Sequence, residues 1–89
     1  MKITRELHDT CNALFLVIKA RDPDLSARAL RRDGQPVGAN GSPEVELMYD
    51  LHSLSDVASS FATGLPPSLE NLHRVEAILT REHARPETP

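Results

Sequence analysis

The stretch SPEVELMYDLHSLSDVASSF, Ser42 to Phe61, decides the fold. Ser42 suits an N-cap, because its hydroxyl can accept from a free amide of the first helical turn. Pro43 at the first helical position loses no hydrogen bond, and Glu44 complements the positive end of the helix dipole. Leu47, Met48, Leu51, Leu54, Ala58, Phe61 and Ala62 recur at the 3.6-residue period of a helix with an apolar stripe. Gly64 fits the left-handed residue that ends such a helix, and Pro66-Pro67 follow it. The stretch also holds four acids and no base, and from Asp33 through His73 the chain has no Lys or Arg.

Upstream, a helix is expected from about Thr4 to Arg21, ending before Asp22-Pro23 because Pro disfavours helical geometry in the residue before it. Ile3, Leu7, Cys11, Leu14, Phe15 and Ile18 fall on one stripe of this helix. Ala13, Leu16, Val17 and Ala20 fall on nearly the opposite side, an apolar face that needs its own cover. A short helix follows, capped by Asp22, with Pro23 at its first position, Leu25, Ala29 and Leu30 docking it, and Gly34 past its end. The segment 33–42 reads as an irregular loop or a small hairpin at Asp33-Gly34. Downstream, a helix from Pro67 or Ser68 to about His83 should bury Leu69, Leu72, Val75 and Leu79, and the tail 85–89 should fray. With two Phe, one Tyr and no Trp, little suits a sheet. The expected fold is all-α: one domain over 1–84, a small antiparallel bundle of three long helices and one short. Leu14, Phe15, Leu51, Leu54, Phe61, Leu72 and Leu79 are the expected inaccessible core.

The net charge of −3 is unevenly placed. Residues 1–33 carry a net +2, residues 34–63 a net −4, and residues 64–89 a net −1. On the acidic helix Glu46 and Asp50 share a face with Ser53 and Val57, beside a stripe of Val45, Tyr49, His52 and Asp56, all placed away from the expected core. Like charges four apart repel slightly, so helix stability does not explain them. They read either as a solvated face or as a docking surface for a basic partner, with Glu46, Tyr49, Asp50, Ser53, Asp56 and Val57 making contact and Tyr49 as aromatic anchor. Since none lies on the expected core stripe, reversing Glu46 and Asp50 to Lys should leave the fold intact.

The same acids weigh against nucleic acid. A recognition helix approaches a dense polyanion, and one with four acids and no base is repelled. The alternative is a nucleic-acid-binding regulator using the basic cluster Arg28, Arg31 and Arg32 on the second helix and its flank. Cations at a helix C-terminus are explained equally well by the macrodipole.

Chemistry has weaker signals. His8 and Cys11 share a helix face, but no second pair has metal-ligand spacing, so no metal or other cofactor is expected. His52 and Asp56 could pair as base and orienting acid, yet no nucleophile accompanies them and no enzyme is expected. His73 and His83 read as border residues of the last helix, and Gly34, Gly38 and Gly41 lack the strand and Lys of a phosphate loop. No run approaches the roughly 18 apolar residues of a membrane span. One Cys precludes an internal disulfide and, with a start lacking an apolar leader, points to the cytoplasm.

Contact is therefore the expected work of this chain. It reads as a small cytoplasmic protein-binding module, an inhibitor, adaptor or accessory regulator of a partner with a basic surface. Phage- or plasmid-type inhibitors of nucleic-acid-binding machinery are an analogy of size and charge alone. A homodimer through Ala13, Leu16, Val17 and Ala20 is expected as well.

Overall fold

The structure, a computed structural model, describes residues 2–31 and 41–84. Four helices make up most of it: α1 at Arg5–Arg21, α2 at Pro23–Arg31, α3 at Pro43–Thr63 and α4 at Leu69–Ala84. The fold is all-α, a small helical bundle with no strand among the described residues. Gly34, the hairpin expected near it and the tail 85–89 lie outside those residues.

Local hydrogen bonds set the helix starts. Thr4 Oγ1 accepts from the Leu7 amide at 3.1 Å and Asp22 Oδ1 from the Leu25 amide at 3.0 Å. Ser42 Oγ accepts from the Val45 amide at 3.3 Å and Ser68 Oγ from the Asn71 amide at 3.1 Å. Each satisfies one of the amides that a helix start leaves open. Gly64 ends α3 at φ 75°, a conformation that costs a side-chain-bearing residue energy, and its N–H donates to Ser60 O at 2.9 Å.

Packing centres on α3, against which α1, α2 and α4 all lie. From α1 the expected stripe turns inward: Cys11 and Ile18 are buried, with Ile3, Leu7, Leu14 and Phe15 packed around them. Leu51 and Leu54 are fully buried at the centre, as expected. Leu14, Phe15, Phe61, Leu72 and Leu79, expected to be inaccessible too, are only partly buried: Phe61 lies in the last turn of α3, and the others lie on α1 and α4, which are covered on one side.

Two further expectations are corrected. Val45, Val57, Asp50 and Ser53, placed away from the core by sequence, are buried. A helix with neighbours on three sides buries much of its circumference, so a single apolar stripe underestimates what α3 encloses. Leu69, expected inside, is 72% exposed, because it is the first residue of α4 and precedes the covered turns, where Val75 and Ile78 are buried instead. No helix among the described residues is long and apolar enough to cross a membrane.

Leu51→Ala should open a cavity where three helices meet and lower the unfolding free energy by about 2–5 kcal/mol. Urea denaturation followed by far-ultraviolet circular dichroism checks this, and a loss below about 1 kcal/mol would show that the site collapses or that Leu51 is not central.

Candidate functional site

The bases missing from α3 sit on its neighbours. Arg74 of α4 donates from Nη1 to Asp50 Oδ1 at 3.0 Å and to Glu46 Oε2 at 3.1 Å. Arg81, two turns further along α4, donates to Asp50 Oδ2 at 3.2 Å. From α2, Arg28 Nε lies 3.6 Å from Glu44 Oε1. The Arg74 guanidinium also lies 5.2 Å from the centroid of the Tyr49 ring, within cation–π range. Asn71 of α4 receives the Ser53 hydroxyl at 2.9 Å and donates to Asp56 Oδ2 at 2.6 Å.

A third helix joins this seam through Glu82. Arg21 of α1 grips its carboxylate with both guanidinium nitrogens, at 3.0 and 2.5 Å, while Arg81 Nε reaches it at 3.2 Å. Hydrogen bonds from Arg21 hold the Glu82 carboxyl at about 2, below its ordinary 4.5, against a burial that pushes it up, and Arg81 adds to the lowering.

The docking surface expected on α3 is thus divided. Asp50, Ser53 and Val57 face into the fold and Asp56 is held by Asn71, whereas Glu46 and Tyr49 reach solvent while touching Arg74. Buried carboxylates need partners, and α4 supplies them here. The sequence does contain a signal for this arrangement. Asn71, Arg74 and Arg81 recur at helical spacing beside Val75 and Ile78, so a polar row borders the apolar row of α4 and faces the acids. Of the alternative basic cluster, Arg28 is paired with Glu44, while the Arg31 side chain and Arg32 lie outside the described residues.

A cleft of about 600 Å³ opens between α3 and α4, lined by Glu46, Asp50, Glu70, His73, Arg74 and Arg81 among others. Its two guanidinium groups are already shared among carboxylates, so it has little attraction left for an anion. His8 and Cys11 do not act together: the His8 ring contacts Asp9 and Asn12 and lies 5.2 Å from the Phe61 ring, while burial pushes the Cys11 thiol up to about 11. A thiol so protonated is a poor nucleophile and a poor ligand. His52 is exposed, and Asp56 is engaged by Asn71. Among the described residues no three His, Cys, Asp or Glu side chains are grouped to hold a metal.

The outward side of α1 is the reverse of the seam. Leu16 is 64% and Val17 49% exposed, and Ala13 and Ala20 beside them are exposed as well. Next to them a groove of about 330 Å³ runs between α1 and α2, lined by Leu16, Lys19, Ala20, Pro23, Ser26 and Ala27. The Ser26 hydroxyl is buried with no hydrogen-bond partner among the described residues.

The chain is by its geometry a small helical domain with a charged internal seam and an apolar outer helix face. No protein-family model, curated protein or solved structure matches it.

Two outcomes follow from the seam. Asp50→Lys would set a third cation between Arg74 and Arg81, so it should cost about 3 kcal/mol or more of stability, the opposite of the harmless reversal expected from sequence. An unchanged denaturation midpoint would show the seam to be dispensable. Because the Glu82 carboxyl is lower in the folded state, its contribution is present above about 4.5 and is lost as pH falls toward about 2. Arg21 and Arg81 are partly solvated, so that loss should be about 1–2 kcal/mol rather than the full equivalent of the shift. Glu82→Gln should flatten the acid limb of the stability profile by this amount, and an identical limb in both proteins would contradict the assignment.

Proposed function

We propose that the chain is a small protein-binding module of the inhibitor, adaptor or accessory-regulator kind, and that it makes its contact through the outward face of α1. The supporting observation is that face: two large aliphatic side chains and two alanines point to water directly opposite the stripe that enters the core. Monomeric proteins seldom leave contiguous apolar surface uncovered, and rims of polar groups around it mark contact sites. Here Glu6, Asp9, Asn12 and Lys19 border it, all exposed.

The acidic helix lends less support than its sequence promised, since Arg74 and Arg81 occupy Glu46 and Asp50 from within. A basic partner surface remains consistent with the net charge of −3. Nucleic acid is disfavoured by the same charge and by the pairing of Arg28 with Glu44. The homodimer expected from the sequence is the simplest occupant of the α1 face.

Leu16→Glu tests this reading, with Glu76→Lys on exposed α4 as control. Both variants should keep the helical circular dichroism of the wild type. Binding to a partner isolated with the tagged protein from its native cell should fall at least tenfold, about 1.4 kcal/mol, for Leu16→Glu and stay constant for the control. Equal affinity of all three proteins would move the contact off α1.

A further inference from the structure

We draw no further inference here: the strongest candidate, the groove between α1 and α2 that joins the outward apolar face of α1 to the buried Ser26 hydroxyl, carries nothing further, because Lys19 on its wall is offset by the exposed Asp22 and Asp24 at the start of α2 and nothing in the structure shows what covers that face.

Discussion

A carboxylate taken out of water must find cations, and in this fold Asp50 finds two. It is 8% exposed on the central helix, and Arg74 and Arg81 each donate to a different one of its oxygens. The two arginines are seven residues apart, two turns of α4, so they reach Asp50 only if α4 lies at one angle and in one register against α3. Arg81 then shares Glu82 with Arg21, and that pair draws the end of α1 to the end of α4. The contribution of such a seam to net stability is offset by desolvation. Its larger effect is on uniqueness, because any slip of α4 would bury unpaired charge.

The absence of Lys and Arg from Asp33 through His73 has its answer here. Glu44, Glu46, Asp50 and Asp56 take their partners from α2 and α4: Arg28, Arg74, Arg81 and Asn71. Had α3 carried its own bases four residues away, its acids could have been satisfied within the helix and would have said nothing about the neighbours. The charge separation along the chain is thus an instruction for packing helices against one another. Local repulsion between Glu46 and Asp50 is small and is relieved by a guanidinium placed between them.

What was legible in the sequence was what acts over a few residues. Thr4, Asp22, Ser42-Pro43 and Gly64 mark helix ends by hydrogen bonds to amides or carbonyls three or four positions away, so these boundaries came out within about a residue. The stripe of α1 was legible as well, since that helix buries one side. Periodicity failed on α3 for a geometric reason: with three neighbours it encloses Val45, Asp50, Ser53 and Val57 in addition to Leu51 and Leu54. Nor does hydropathy say which arginine, twenty-four or thirty-one residues onward, will meet Asp50. The acids were rightly singled out as unusual, but a pattern confined to one helix cannot distinguish an acid facing solvent from one facing a distant base.

The placement of apolar and polar groups then bears on function. An exposed leucine alone means little, since folded surfaces are largely apolar by area. A charged seam on the inside and an aliphatic stripe on the outside of one small domain carry more weight together. The α3–α4 contact uses Asp50, Ser53, Asn71, Arg74 and Arg81 where aliphatic side chains would also have packed, while Leu16 and Val17 point to water. A chain of this length buries only somewhat over 60% of its unfolded surface, so aliphatic groups left outside are a sizeable part of what it could have enclosed. Their arrangement on one helix face, flanked by acids at one end and Lys19 at the other, is the feature on which the proposed contact rests. The acids on α3 hold the scaffold together, and the face of α1 with little charge is the one left free for the contact proposed above.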